Sequence, residues 1–126
     1  MSGRGMQRKS LRKSEIAQGD VILVDFSYSD LQRSKFRPAL VMSNSGYNSK
    51  SPDIVVLRIT SKHRRRWAIK LTNEDLESGI LDVESYVKVD SIFTIEKRMV
   101  AKVVGRLKGA KVNEVWIKMT ELFEAV

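Results

Sequence analysis

Five polar side chains of this 126-residue chain fall where strand ends are expected and belong to types that act on a phosphate: Arg37, Thr60, Ser61, Lys88 and Asp90. A guanidinium presents a planar fork that matches two phosphate oxygens. A threonine hydroxyl can donate to another oxygen, and a carboxylate such as Asp90 can accept a proton. Such a set suits cleavage of RNA without a metal. There the substrate's own 2′-hydroxyl is the nucleophile, and the protein places the phosphate in line and stabilises charge on its oxygens. Each residue also has a plain structural reading. Arg37 can pair with an acid, Thr60 and Ser61 can close a turn, and Lys88 and Asp90 can form an exposed strand face. On spacing alone these structural readings outweigh catalysis.

The elements around Arg37 are informative. Arg37-Pro38 opens an apolar run, Ala39-Leu40-Val41-Met42. Proline pushes the preceding residue into an extended conformation and is tolerated at the first residue of a strand. The guanidinium is therefore carried on a rigid strand mouth.

Charge supports an anionic ligand. The chain carries a formal net charge of +8. Residues 1–18 hold Arg4, Arg8, Lys9, Arg12 and Lys13 against the single acid Glu15, and residues 58–66 hold Arg58, Lys62, Arg64, Arg65 and Arg66 with none. The excess thus lies in a tail and one loop, a distribution that suits a polyanion, most often nucleic acid. A solvated tail and a soluble loop fit the charge equally well. The lone His63 sits among these arginines. Neighbouring cations disfavour its protonated form, so it reads as a loop residue near phosphate rather than a base.

Other classes of chemistry lack their residues. There is no cysteine, hence no disulfide or thiolate zinc site, which fits a reducing cytoplasm. One histidine supports neither a conventional zinc set nor a choice of catalytic base, and there is no Gly-rich phosphate loop. No metal or other cofactor is expected. No apolar run is long enough for a membrane span or a signal peptide.

In chain order, residues 1–18 read as a flexible basic arm, with Leu11, Ile16 and Ala17 too few to bury much. Residues 19–126 read as one domain. Gly19-Asp20 is a turn, and Val21 to Phe26 a β-branched strand. A polar loop over 27–36 is long for a hairpin and suits a binding element. Further strands are expected at 37–44, 53–60, 67–71, 85–90 continuing through 92–95, and 99–107. Residues 45–52 read as an exposed turn. Residues 72–77 look like one or two helical turns capped by Thr72 and ended by Gly79. In the helix predicted over 111–125, Val112, Val115, Trp116, Met119, Leu122 and Phe123 form one apolar stripe that packs on the sheet, with Trp116 and Met119 as core. The fold class expected is mainly β (α+β): a small, strongly curved antiparallel sheet with a C-terminal helix.

The blocks Gly19-Asp20-Val21-Ile22-Leu23-Val24-Asp25-Phe26, Arg37-Pro38-Ala39-Leu40-Val41-Met42-Ser43 and Ile59-Thr60-Ser61 resemble the PemK/MazF family of toxin endoribonucleases. Residues 86–95 and Gly105-Arg106-Leu107 resemble its later strands. The resemblance covers roughly residues 19–107 and implies an SH3-like barrel, usually a homodimer in the cytoplasm. It implies sequence-selective, metal-independent cleavage of single-stranded mRNA to 2′,3′-cyclic phosphate and 5′-hydroxyl ends. Arg37 matches the family's catalytic arginine and Thr60 its catalytic threonine. Asp90 matches an acid implicated in some members, while Lys88 stands where those members carry arginine. RNA contacts are expected from Arg33, Lys35, Ser61, Lys62, His63, Arg64, Arg65, Arg66 and Lys88. The arginine run is outside the family pattern; it either widens the RNA surface or meets an acidic partner. The partner implied is an antitoxin whose acidic segment lies across the RNA groove. Two rival readings are a non-enzymatic poison of the same fold, of the gyrase-binding type, and a degenerate member that only binds nucleic acid. The resemblance makes a geometric demand: Arg37 and Thr60 must meet in one groove, beneath the 27–36 loop.

Overall fold

Runs of β-branched residues become strands, and the last amphipathic stretch becomes a helix. The structure, a computed structural model of the chain, describes residues 15–26, 35–62 and 66–125. In order come β1 (Asp20–Asp25), β2 (Phe36–Val41), α1 (Ser45–Lys50), β3 (Asp53–Thr60), β4 (Ala68–Leu71), β5 (Leu76–Gly79), β6 (Ser85–Glu96), β7 (Val100–Leu107) and α2 (Gly109–Leu122). Single 3-10 turns at Asn73–Asp75 and Lys97–Met99 precede β5 and β7. All seven strands join one antiparallel sheet in the order β4-β6-β3-β2-β1-β7-β5.

Register shifts bend this sheet. In the β3–β6 pair, Leu57 faces Ile92 while its neighbour Arg58 faces Lys88. Residues 89–91 are thus extra on β6, and a bulge of this kind sharpens local twist. On the other side of β6 the β4 register continues through the bulge, where the Val89 N–H donates to the Trp67 carbonyl at 2.9 Å. Further shifts in the β1–β7 and β5–β7 pairs curl the other end. The result is the curled, barrel-like sheet with a C-terminal helix that the sequence predicts.

Successive side chains point to opposite faces, and here both faces are covered. Val21, Leu40, Leu57, Ile59, Val87 and Val89 share one cluster with Val115 of α2. Ile22, Val24, Ala39, Val41, Ile54, Val56, Ile95 and Val100 form a second cluster. That double burial explains why β1 to β3 read as nearly continuous apolar runs. Each fully buried Val, Leu or Ile among them contributes about 1.5–3 kcal/mol. Exposed ion pairs such as Lys70–Glu84 contribute about 0–1 kcal/mol, so the two clusters hold the sheet.

Several expectations need correction. Most of the basic arm lies outside the described residues, but Ile16 is fully buried in the second cluster. Gln18 Nε2 donates to the Met42 carbonyl at 2.6 Å, so the chain packs from residue 16 onward. Residues 45–50 form a short helix rather than an exposed turn, capped by Asn44, whose Oδ1 accepts the Tyr47 N–H at 2.8 Å. Its Asn48 is completely buried, and Nδ2 donates to the Ile16 and Ser43 carbonyls at 3.0 Å each. The 72–77 segment makes a single 3-10 turn and then a strand, so Gly79 ends β5 and not a helix. Pairing with β7 supplies hydrogen-bond partners that a short helix of this composition lacks. Trp116 is 53% exposed and is not core, whereas Met119 does pack on the first cluster.

Gly79 has φ of +86°, and a Cβ there would run into the Val104 carbonyl and Gly105 Cα across the β5–β7 ladder. Gly79→Ala is therefore expected to destabilise the domain by about 2 kcal/mol, combining the left-handed backbone penalty with strand separation. Urea denaturation measures this; an unchanged midpoint would contradict the close approach.

Candidate nucleic-acid interface

The site forms where the β2–β3 ladder ends. These strands pair through Val41↔Val56, Leu40↔Leu57 and Ala39↔Arg58. Pro38 has no N–H to continue the pattern. Carried two residues further, the same register sets Arg37 opposite Thr60. Both line one cleft of about 660 Å³, together with Phe26, Lys35, Pro38, Ala39, Arg58, Ile59, Ser61, Lys62, Val83, Ser85 and Phe93. Alternation fixes the face. Arg37 and Ala39 on β2, and Arg58 and Thr60 on β3, project on the side of the second cluster, away from α2.

The cleft is strongly cationic. Lys35, Arg37, Arg58 and Lys62 line it, and no carboxylate does so among the described residues. The Arg37 side chain is exposed and makes no hydrogen bond or ion pair within the described structure. Its structural reading, pairing with an acid, is therefore not what the fold uses it for. Thr60 Oγ1 accepts the Lys62 N–H at 3.2 Å, so the threonine does close a turn. That contact occupies an acceptor position and fixes the hydroxyl, leaving its O–H to donate toward the cleft.

Of the predicted residues, Arg37, Thr60, Lys35, Ser61 and Lys62 come together here. Lys88 and Asp90 share the same strand face but do not line the cleft. Lys88 Nζ lies 3.0 Å from Asp90 Oδ1, an ion pair within β6. Arg66 is exposed and also outside the cleft lining. Arg33, His63, Arg64 and Arg65 lie outside the described residues. So does most of the 27–36 loop, but Lys35 within it and Phe26 just before it line the cleft and are joined by the Phe26 N–H to Lys35 carbonyl bond at 2.7 Å.

Among the lining residues that the sequence reading did not name as site residues, Arg58, Phe26 and Phe93 carry groups able to contact RNA. Arg58 had a signal, since it stands two residues before Thr60 on an alternating strand. Phe26 and Phe93 are partly buried against the second cluster, and they give the cleft aromatic walls of the type on which bases stack. Among the described residues, no group of three or more His, Cys, Asp or Glu is placed to hold a metal ion.

Other residues of the sequence blocks are structural. The Ser43 hydroxyl donates to Asn48 Oδ1 and accepts the Val55 N–H at 2.9 Å. Gly19, at φ +95°, occupies the turn position that needs a left-handed backbone, and the Asp20 N–H closes that turn on the Ala17 carbonyl at 3.1 Å. Asp20 is fully buried: Oδ1 accepts from Arg106 Nε at 2.8 Å and Oδ2 accepts the Ala17 N–H at 2.9 Å. The hydrogen bond that Arg106 donates to Asp20 is the main cause that raises the Arg106 pKa above the ordinary arginine value.

Residues 17–123 match the family described as PemK-like, MazF-like toxin of type II toxin–antitoxin system. Among solved structures, the chain is similar to an endoribonuclease in complex with its cognate antitoxin from a mycobacterial species. The identity is 23%, with 88% of this chain and 98% of that chain covered, at a TM-score of 0.70. A chain of the MazE–MazF crystal structure (Form III) from Deinococcus radiodurans is 20% identical over 86% of this chain and 96% of that chain, at a TM-score of 0.72. An endoribonuclease from a mycobacterial species is 22% identical over 86% and 91%, at 0.68. At these identities the structures establish a shared fold, and the family match spans both β2 and β3, the strands that carry Arg37 and Thr60. The chain belongs to the PemK-like, MazF-like toxins of type II toxin–antitoxin systems.

Proposed function

We propose that the protein is an endoribonuclease that cuts single-stranded mRNA in the β2–β3 cleft. The observation that carries this reading is the meeting of Arg37 and Thr60 in a cleft whose described charged residues are all cations. In the reaction the 2′-oxygen attacks the adjacent phosphorus and the bond to the 5′-oxygen breaks. The 2′-hydroxyl gives up its proton and the departing 5′-oxygen gains one. The products are a 2′,3′-cyclic phosphate and a 5′-hydroxyl, with no water consumed.

Arg37 donates its fork to the phosphorane oxygens, where negative charge grows. Thr60 holds a non-bridging oxygen, its hydroxyl pre-set by the Lys62 amide. Lys35, Ser61 and Lys62 steer and seat the strand. Asp90 lies outside the cleft lining and positions Lys88 through the ion pair at its Oδ1. The toxin is a homodimer of the cytoplasm, and its antitoxin covers the same cations with an acidic segment. Among the described residues, no helix is long and apolar enough to cross a membrane.

The test is incubation of the purified chain with a long RNA in EDTA, followed by mapping of the new ends. The expected result is cleavage at a recurring sequence, leaving cyclic phosphate and 5′-hydroxyl termini. RNA left intact but bound in a salt-sensitive way would replace this reading with a non-cleaving nucleic-acid binder. Intact and unbound RNA would favour the gyrase-poison alternative.

A further inference from the structure

Arg58 occupies a position that the fold does not explain. It lies near the end of β3, a central strand flanked by β2 and β6. Directly across from it on β6 stands Lys88. Like charges directly opposite each other destabilise a sheet. Asp90 compensates Lys88, whose side chain is only 21% exposed. The Arg58 side chain is exposed and has no hydrogen bond or ion pair within the described structure. On its other side the cross-strand neighbour is Ala39, small and buried, which leaves the cleft floor open beside the guanidinium.

The geometry also ties Arg58 to the reaction site. Residues two apart on a strand share a face and are separated by about 6.7 Å. Arg58 therefore stands one such step from Thr60, in the same cleft. A second guanidinium at that spacing suits a second anion of the same chain. In single-stranded RNA that anion is the phosphodiester next to the one being cut. We propose that Arg58 is a substrate-anchoring residue that grips the phosphate adjacent to the scissile one and so sets the register of the strand across Arg37 and Thr60. The identity of the ligand rests on the endoribonuclease reading; the need for an anion beside Thr60 does not.

The experiment uses the full chain and its Arg58→Gln and Arg58→Lys variants. Binding is measured across a salt series with a fluorescein-labelled single-stranded RNA bearing 2′-O-methyl groups throughout, which cannot be cut. Arg58→Gln should weaken binding about tenfold and lower the slope of log affinity against log salt by about 0.7, one phosphate contact on a single strand. Arg58→Lys should keep the slope and recover part of the affinity, since it retains the charge without the fork. On cleavable RNA, Arg58→Gln should raise KM with kcat held within about twofold. A scan with single neutral methylphosphonates should show one phosphate beside the cut whose neutralisation weakens the wild type but not Arg58→Gln. An unchanged salt slope and KM in Arg58→Gln, or equal methylphosphonate sensitivity in both proteins, would overturn the assignment while leaving the enzyme reading intact. If the wild type cuts no RNA yet the slope still falls in Arg58→Gln, the enzyme reading fails and the anion subsite stands.

Discussion

Arg37→Ala is expected to yield a folded protein that cuts RNA on the order of a thousandfold more slowly. The size of the effect comes from where the guanidinium acts. A donor aimed at charge that exists only in the transition state contributes to kcat, and losing an arginine from phosphoryl-type chemistry costs about 10³-fold or more. Folding should survive because Arg37 is exposed and unpartnered, and β2 is held through its backbone ladders to β1 and β3. Arg37→Lys should recover little, since a point charge on a flexible stem cannot present two parallel N–H groups. Single-turnover rates on the mapped RNA, with matched thermal melts, decide the matter. Retained activity in a well-folded Arg37→Ala protein would sink the assignment of the cleft.

The largest effect on stability is expected from Asp20→Ala, at about 2–3 kcal/mol. Asp20 is completely buried and makes two hydrogen bonds, to Arg106 and to the Ala17 amide. Removing the carboxylate leaves that amide without its acceptor and takes the partner from a cation. Arg106 is 42% exposed and can turn to water, which keeps the cost below that of a fully buried pair. The contact spans 86 positions and locks the first strand to the last through the Asp20↔Arg106 register pair. The raised pKa of Arg106 means that its share of the stability is complete below the ordinary arginine value. It is lost only as pH rises through the higher folded value. The pair is therefore constant across the neutral range, and the defect of Asp20→Ala should be as well. Urea denaturation of Asp20→Ala, Arg106→Met and the double variant gives the coupling. Additive single effects would show that the ion pair itself contributes nothing.

Much of this molecule is legible locally. Val21 to Val24, Ile54 to Ile59 and Val87 to Val89 announce strands because β-branched side chains suit a pleated, buried surface. Spacing of Val112, Val115 and Met119 announces α2. Local reading fails where a distant partner overrides it. Leu76–Gly79 follows a helix-like turn but becomes a strand because β7 lies alongside. Trp116 belongs to the apolar stripe, yet the sheet covers only the side of α2 that carries Val112, Val115 and Met119. Asn48 sits among turn formers, and only the return of Ile16 and Ser43 to its amide makes it a buried anchor.

The cleft divides in the same way. Sequence by itself determined that an arginine would be held at a strand mouth beside a proline, that cations would exceed acids around it, and that the blocks carrying Arg37 and Thr60 match a known family. Tertiary structure alone decided that Arg37 and Thr60 line one cleft, that Arg58 joins them and that Asp90 turns to Lys88. The reason is that cross-strand neighbours are set by antiparallel register and sheet face. Arg37 and Thr60 are 23 positions apart along the chain, and their meeting depends on the Ala39↔Arg58 pairing between them.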